Sequence, residues 1–569
     1  MNNNSIPVKD REDRSMAWYE DALFYHIYPL GLTDAPKQNP YAQPEPRLRQ
    51  LRDWLPHIRG IGCNAIYIGP LFESVGHGYE TTDYKKLDSR LGTNEDLKEF
   101  VAECHRQGLR VIFDGVFNHT GRDFFAFRDL KEKREQSPYR DWYCRVNFGG
   151  NNSFGDGFSY ENWGGHDLLA KLNQKNPAVR EYIADVIRFW VSEFDVDGIR
   201  LDAADVMDLE FLRFLRRTTE ALKPDFWLMG EVIHGDYSRW ANAETLHSVT
   251  NYTLHKAFYS SHNDHNYFEL AHTLDYVGRQ TGDLRKLYTF VDNHDVARIY
   301  TSLRNKAHFT PVHILLYTLP GIPALYYGSE FGIEGRKERH SDDSLRPALR
   351  MADFADAAQN NPCTALLATL GRLRAAVPAL RRGDFRQLLL QTGHFAFSRT
   401  WEGGTAIVAV NNSGSAVTMT LPAADGEYTG ALFGNKVQAQ NGQLTISIAA
   451  DSGEIFLSSG VDTSVAPLPP IAAHQPAPEK AVQHTPATEE PQKAEPTENV
   501  IKTEADAPKQ TESPVLDLNK PHEEMSIEEL QEAILQCMRK NGPVTEYMLG
   551  TVRENTHRGS LLNWVRSFR

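Results

Sequence analysis

The sequence is poor in cysteine, and it contains neither a long apolar run nor an excess of basic residues. Five cysteines are scattered over 569 residues without a Cys-x-x-Cys pair, which disfavours both a disulfide framework and a zinc site of the usual spacing. No apolar run reaches the roughly 20 residues of a membrane-spanning helix, and no basic and apolar leader is visible at the start. The formal net charge of −14 disfavours nucleic acid and anionic membranes as partners. These absences predict a cytoplasmic protein.

Strand and helix patterns alternate over residues 22–379, which follow a polar lead-in at residues 1–21. Buried strands are predicted at residues 22–28, 63–68, 110–114, 198–201, 226–231, 248–252, 286–291 and 322–327. Helices are predicted between them at residues 47–59, 94–106, 177–194, 207–222 and 310–318. Such alternation is typical of parallel βαβ units, and eight units predict an α/β fold with a (β/α)₈ TIM barrel.

Three segments depart from this alternation. Residues 120–175, after the third strand, are rich in Gly, Asn, Asp and aromatics, which predicts an inserted domain. Residues 380–458 alternate Thr, Val, Phe and Leu with polar residues, which predicts an antiparallel β-sandwich. Residues 459–520 are dominated by Pro, Ala, Glu, Thr and Lys, which predicts a disordered linker.

The final residues, 521–569, regain helical periodicity and predict a small helical module. Ser526 and Glu529 have the spacing of a capping box that opens a helix, and Asn541 precedes the Gly-Pro pair that ends it. Two more helices are predicted beyond it. So short a segment buries little apolar surface, and a protein partner or self-association through residues 525–569 would stabilise it. An autonomous three-helix bundle is the alternative.

Three carboxylates follow the ends of predicted barrel strands: Asp202 the fourth, Glu231 the fifth and Asp295 the seventh. A barrel brings such positions together over one mouth. Any one of them alone is more often a solvated loop acid. Together they indicate glycoside hydrolysis. In that reaction one carboxylate attacks the anomeric carbon and another acid protonates the departing oxygen. Arg200 is expected to keep Asp202 ionised, and Glu231, which has no cation beside it in the sequence, is expected to be the acid.

Other polar and aromatic residues lie near the same strand ends. Asp114 and His119 follow the third strand, and His294 precedes Asp295. Both histidines could donate hydrogen bonds to sugar hydroxyls, although either could instead be a satisfied structural histidine. Tyr79, after the second strand, could stack on a sugar ring or could simply be half-buried packing.

These stretches resemble, in order, the conserved regions of the α-amylase superfamily of glycoside hydrolases: 114–119, 198–202, Glu231 and 293–295. The resemblance implies that Asp202 is the nucleophile, that Glu231 is the general acid/base and that Asp295 fixes the substrate and stabilises the transition state. It also implies that the subsite of the attacked glucose is lined by Tyr79, His119, Arg200 and His294. The insert would be the family's domain B, and residues 380–458 its C-terminal β-domain.

A short stretch, Ala170-Lys-Leu-Asn173, is similar to a motif of the neopullulanase and cyclomaltodextrinase branch of that superfamily. The branch's Met-Pro pair is Leu169-Ala170 here, and Ile233 stands where the branch has a tryptophan. The predicted barrel starts near residue 22, so the branch's N-terminal β-domain is expected to be lacking. Calcium sites in this family often use the position of Asn118. A structural Ca²⁺ bound through Asn118 is one interpretation, and an asparagine that only stabilises a turn is the other. No metal ligand set and no other cofactor are predicted.

The expected activity is retaining hydrolysis of α-glucosidic bonds in maltodextrins or related short α-glucans. A transglycosylase of the same fold, of the glucanotransferase or trehalose/sucrose type, is the alternative because it uses the same covalent intermediate. A non-catalytic scaffold or transporter subunit is disfavoured, since all three acids are present and no membrane span is found. An oligosaccharide is the expected partner, and neither nucleic acid nor a membrane is.

Overall fold

The computed structural model describes residues 17–339, 341–461 and 526–541. The chain divides into two compact units, Met1–Ala477 and Pro478–Arg569. No helix in the described ranges has the length and apolar character needed to cross a membrane.

Eight parallel strands close a barrel in the first unit, as the sequence predicts. They are β1 (Phe24–Ile27), β2 (Ala65–Ile68), β3 (Arg110–Gly115), β4 (Gly198–Leu201), β5 (Trp227–Gly230), β6 (Ser248–Thr250), β7 (Leu287–Phe290) and β8 (Ile322–Tyr326). Around the barrel β1 pairs with both β2 and β8, and the remaining strands pair in chain order. Six predicted ranges were longer than the strands by one to three residues because they included flanking residues, whereas the range of β4 agrees and β3 is one residue longer than predicted.

The helices surround this barrel or flank its loops. In chain order they are α1 (Pro29–Leu32), α2 (Leu55–Gly60), α3 (Asn94–Arg106), α4 (Phe125–Lys133), α5 (Pro177–Phe194), α6 (Leu209–Leu222), α7 (Tyr252–Asn263), α8 (Tyr267–Thr281), α9 (Ile299–Ser302), α10 (Phe309–Thr318), α11 (Ala357–Asn360), α12 (Pro362–Ala376) and α13 (Pro378–Arg382). Local signals set several of the starts: Thr93 and Asp96 form a capping box on α3, and Asn176 caps α5 ahead of Pro177.

The helix predicted at residues 47–59 is divided in two. A 3₁₀ helix runs from Arg47 to Trp54, and α2 begins at Leu55. Pro56, the second residue of α2, has no amide hydrogen to donate to the preceding turn, so the hydrogen-bond pattern changes there. Two short strands that were not predicted, Phe72–Ser74 and Thr81–Leu87, pair as a hairpin after β2.

The insert after β3 is built on a small antiparallel sheet. Its strands are His119–Thr120, Asn162–Trp163 and His166–Lys171, and α4 precedes the last two. The first strand begins four residues after β3 ends, so the insert starts at the mouth of the barrel.

The C-terminal part of the first unit is antiparallel, as predicted. Its strands are β9 (Asp384–Leu390), β10 (His394–Trp401), β11 (Gly404–Asn411), β12 (Val417–Pro422), β13 (Gly426–Gly430), β14 (Lys436–Ala439), β15 (Gln443–Ile448) and β16 (Ser452–Ser458). Six form one sheet in the order β9-β10-β11-β16-β13-β14, and β12 pairs with β15. Alternate residues of β15 are buried, which matches the period of a half-buried strand.

In the second unit the structure describes one helix, α14 (Ile527–Asn541). Its capping box is confirmed: the amide of Ser526 donates to Glu529 Oε2 at 2.6 Å, and the amide of Glu529 donates to Ser526 Oγ at 3.2 Å. Leu530 and Ile534 of the predicted apolar face are buried. The predicted linker beyond residue 461 and the two later helices lie outside the described residues.

Candidate active site

Strand register brings the first two predicted acids to neighbouring positions. In β4, Arg200 lies opposite Asp114 of β3 and Met229 of β5, and Leu201 lies opposite Gly230. Asp202 and Glu231 therefore each stand one residue beyond the aligned ends of two adjacent strands. A side chain at Gly230 would collide with Leu246, since a Cβ there would lie 2.3 Å from Leu246 Cδ1. Glycine at this position allows the close packing that fixes Glu231.

The guanidinium of Arg200 joins three carboxylates. Its Nη1 donates to both oxygens of Asp114 at 2.8 and 3.0 Å and to Asp202 Oδ1 at 3.0 Å. Its Nη2 lies 2.9 Å from Glu231 Oε2. Arg200 is 3% exposed; burial opposes its charge, but Asp114 and Glu231 raise the pKa of Arg200 well above its ordinary value. The expectation that Glu231 has no cationic neighbour is wrong, because the guanidinium reaches across from β4 to β5.

Glu231 is held by two further donors. The amide of Ala203 donates to Oε2 at 3.0 Å, from a residue in the left-handed region with φ of +49°. The hydroxyl of Tyr252 donates to Oε1 at 3.3 Å and accepts from Asn293 Nδ2 at 3.0 Å. Oε2 thus receives both Arg200 and Ala203, whereas Oε1 receives Tyr252 alone of these groups.

Asp202 is buried among other carboxylates that affect its ionisation. Burial raises the pKa of Asp202 well above its ordinary value, Arg200 opposes the rise, and Glu231, Asp114 and Asp295 add to it. Arg200, which was expected to keep Asp202 ionised, does lower the pKa of Asp202, but burial and the neighbouring acids outweigh it, and the same cation is shared with Glu231. The charges of Glu231, Asp114 and Asp295 therefore favour the protonated form of Asp202, and Arg200 favours its ionised form.

Asp295 has a different environment. Burial opposes its ionisation, but His294 Nε2, 3.0 Å from Oδ2, and Arg346 Nη2, 2.9 Å from Oδ1, hold the pKa of Asp295 well below its ordinary range. The side chain is 32% exposed, compared with 12% for Asp202 and 10% for Glu231. Asp295 is thus an ionised acceptor that is more exposed than the other two acids.

Tyr79 and His294 form a stacked pair beside these acids. The hydroxyl of Tyr79 is hydrogen-bonded to Asp114 Oδ2 at 3.2 Å and to His294 Nε2. The two rings are nearly parallel, with centroids 5.7 Å apart. Tyr67 of β2 also donates to Asp114 Oδ2, at 2.9 Å. Tyr79 is therefore fixed against both the β3 and the β7 ends of the mouth.

His119 contacts the loop that carries Tyr79 and makes no hydrogen bond to the three acids. It is 1% exposed, and its Nε2 donates to the carbonyl of Tyr79 at 3.2 Å while its Nδ1 accepts from Asn118 Nδ2 at 3.2 Å. Burial lowers the pKa of His119 to about 3, so the ring is neutral. In this arrangement His119 supports the Tyr79 loop, and its hydrogen bonds do not run to the three acids.

Sequence reasoning missed two residues that contact the acids, Arg346 and Tyr252. Arg346 comes from the loop after β8, 51 positions from Asp295. Tyr252 opens α7, 21 positions from Glu231. Neither belongs to a local motif, and only closure of the barrel brings them to the acids.

The residues around Asn118 do not fit a calcium ion. Asn118 is fully buried and its Oδ1 has no hydrogen-bond partner, but Ca²⁺ takes roughly six to eight oxygen ligands, carboxylates among them. Across the described part of the chain, no group of three or more His, Cys, Asp or Glu could hold a metal ion.

Comparisons with known proteins agree with this geometry. The family profile described as "Alpha amylase, catalytic domain" matches residues 47–366, and the one described as "Alpha-amylase C-terminal domain" matches residues 383–456. Neopullulanase 2 of Thermoactinomyces vulgaris is 32% identical over 466 residues, which is 77% of this chain and 78% of that protein. A cyclomaltodextrinase of a Bacillus species is 30% identical over 443 residues, or 74% and 77% of the two chains.

Solved structures share the fold over the same region. An Anoxybacillus α-amylase has a TM-score of 0.66 at 26% identity and covers 78% of this chain and 99% of its own. The cyclic α-maltosyl-(1→6)-maltose hydrolase of Arthrobacter globiformis has a TM-score of 0.66 at 25% identity, with coverage of 78% and 100%. The resemblance seen in the sequence is confirmed: the chain belongs to the α-amylase family of glycoside hydrolases.

Proposed function

We propose that this enzyme hydrolyses α-1,4-glucosidic bonds in maltodextrins and related short α-glucans, with retention of anomeric configuration. The observation that carries the proposal is the Arg200 guanidinium, which joins Asp202 and Glu231 at the aligned ends of two neighbouring strands. A nucleophile and an acid held side by side over one barrel mouth are what a double displacement requires.

In the first step, a carboxylate oxygen of Asp202 attacks the anomeric carbon. The bond from that carbon to the glycosidic oxygen breaks, and the departing oxygen takes a proton from Glu231. In the second step, Glu231 takes a proton from water, the water oxygen attacks the anomeric carbon, and the ester bond to Asp202 breaks. Both carboxyl groups return to their starting state.

The hydrogen bonds favour Oε1 as the atom of Glu231 that carries the transferable proton. Oε2 already accepts from Arg200 and the Ala203 amide, and both contacts favour a charged oxygen there. When Asp202 forms the ester it loses its charge, so the shared guanidinium then stabilises an ionised Glu231. Asp295, ionised and facing the mouth, accepts hydrogen bonds from hydroxyls of the bound sugar.

The substrate class is supported by the names of the relatives. Neopullulanase, cyclomaltodextrinase and maltogenic amylase all name enzymes of α-glucans. A relative from Bacillus subtilis, 28% identical, is named an intracellular maltogenic amylase. Together with the few, scattered cysteines, this name supports the proposal of a cytoplasmic enzyme that meets imported oligosaccharides.

An activity comparison tests this function. The full chain should cleave maltotetraose at least about tenfold faster than the same mass of granular starch, because a site that holds single short chains gains little from a packed granule. Products should be resolved by chromatography, with Asp202→Asn as the background. Equal rates on both substrates would contradict the proposed preference. Release of mainly longer oligosaccharides from maltotetraose would favour transglycosylation over hydrolysis.

A further inference from the structure

Three loops converge on the Asp295 side of the barrel mouth, those that follow β1, β2 and β8. Tyr28, directly after β1, donates its hydroxyl to the carbonyl of His77 at 2.6 Å. The guanidinium of Arg346, from the β8 loop, lies 4.7 Å from the centre of the same ring. Tyr28 is only 4% exposed. The three loops are thus packed on one buried side chain.

The β1 loop is fixed by a buried arginine. Arg90, 2% exposed, donates to the carbonyls of Pro36, Lys37 and Gly76 at 2.9, 3.3 and 2.7 Å. Asp88 holds this guanidinium with an ion pair of 2.7 Å. The backbone of Lys37 is therefore tied to the same β2 loop that carries Tyr79.

The β8 loop is fixed by contacts of its own. The carbonyl of Leu345 accepts from the Tyr326 hydroxyl at 2.9 Å and from Arg298 Nη2 at 3.0 Å. Arg346 Nη2 joins Asp342 Oδ2 at 3.2 Å to Asp295 Oδ1 at 2.9 Å. The backbone around Asp343 is therefore held at a set place beside the catalytic acids.

An ion pair between Lys37 Nζ and Asp343 Oδ2 joins these two fixed loops. The side chains are 77% and 60% exposed, so the pair adds little to the stability of the fold. Its position is what matters, because it links the β1 loop to the β8 loop three residues before Arg346, which contacts Asp295.

On the opposite side, the loops after β4 and β5 carry exposed apolar side chains. Val206 and Ile233, in the loops after β4 and β5, are 47% and 38% exposed. In the proposed mechanism Glu231 protonates the leaving group, so the leaving part of the substrate extends over the β5 side. The retained part, with the non-reducing end, then extends towards Asp295 and the bridged loops.

We infer that the Lys37–Asp343 pair closes the site at its non-reducing end. The enzyme then removes short units from the non-reducing ends of maltooligosaccharides and does not cut bonds deep inside a chain. The inference rests on the proposed function, because the role of Glu231 sets which side receives the leaving group. Lys37 and Asp343 act here as specificity-determining residues and take no part in bond cleavage.

The test uses a p-nitrophenyl maltoheptaoside, either unmodified or with a 4,6-O-ethylidene group on its non-reducing glucose. The unmodified compound should be cleaved, and the blocked compound should be cleaved at least about a hundredfold more slowly, because a closed pocket excludes the added group. Lys37→Ala and Asp343→Asn should each raise the rate on the blocked compound at least about tenfold, since either change removes the bridge. The charge-swapped double variant, Lys37→Asp with Asp343→Lys, should lower that rate again.

Lys436→Ala is the matched control, because it removes a similarly exposed ion pair, with Glu427, in the C-terminal β-domain. It should leave both rates unchanged. Equal wild-type rates on the blocked and unmodified compounds would overturn the inference, and so would bridge variants that leave the blocked compound resistant. A wild-type protein that cleaves neither compound would instead refute the proposed function, and this inference with it.

Discussion

Replacing Asp202 by asparagine should lower the turnover of maltotetraose by about three to five orders of magnitude while leaving substrate affinity nearly unchanged. An amide cannot form the glycosyl ester, but it has almost the same size and can still accept from Arg200 Nη1 at the position of Asp202 Oδ1. The loss should therefore fall on kcat. Single-turnover kinetics would measure the chemical step, and calorimetric titration with maltotetraose would measure affinity.

Asp205→Asn is the matched control for this variant. Asp205 lies three residues further along, and its carboxylate accepts from backbone amides, that of Ile233 among them. We expect its turnover to stay within about a factor of ten of the wild type, because its side chain touches neither the proposed nucleophile nor the acid, and the substitution keeps the backbone amide that donates to the carbonyl of Glu231. An Asp202→Asn enzyme that keeps a tenth of the wild-type turnover would remove Asp202 from the role of nucleophile.

Replacing Arg200 by methionine should affect both stability and activity. Three buried carboxylates would lose their shared cation, which costs about 3–5 kcal/mol when one partner of a buried ion pair is removed. In the variant, the folded-state pKa of Asp202, which burial already raises, should rise further because Arg200 no longer opposes it. A group whose pKa is higher in the folded state than in the unfolded state contributes stability that is fully present below the unfolded pKa and is lost as pH rises through the folded pKa. The loss of unfolding free energy caused by Arg200→Met should therefore be larger at pH 7 than at pH 5.

Urea unfolding at both pH values measures this effect. Arg213→Met is the control, because Arg213 also pairs with two carboxylates, Glu210 and Glu244, but at the surface. Arg213→Met should lower the free energy of unfolding by no more than about 1 kcal/mol at either pH. An Arg200→Met deficit that is equally small, or that does not change between pH 5 and 7, would mean that the guanidinium does not neutralise the buried acids.

The sequence predicted the barrel and the position of the three acids well, and the reason is general. In a parallel barrel every strand delivers its last residue to the same mouth, so Asp202, Glu231 and Asp295 could be grouped from strand ends alone. The partners of those acids could not be assigned in this way. Arg200 pairs with Glu231 as well as with Asp202 because of the register between β4 and β5. No local sequence pattern encodes that register.

Contacts between distant segments account for the other differences. Arg346 and Tyr252 lie in loops and helix starts without a motif, and the closed barrel alone sets their approach to the acids. His119 carries a recognisable motif, but its hydrogen bonds run to Tyr79 and Asn118. A motif identifies a residue near a site, whereas the direction of its side chain depends on the residues packed around it.

The most direct measurement of the central claim, that Asp202 and Glu231 work as a nucleophile and acid pair, is the anomeric form of the first product. A retaining pair stands about 5–5.5 Å apart, and an inverting pair is wider to admit the attacking water. Proton NMR recorded during the first minutes of maltotetraose hydrolysis should show the α-anomer first, followed by slow mutarotation to the β-anomer. If the β-anomer forms first, no glycosyl ester on Asp202 lies on the pathway, and the account is contradicted.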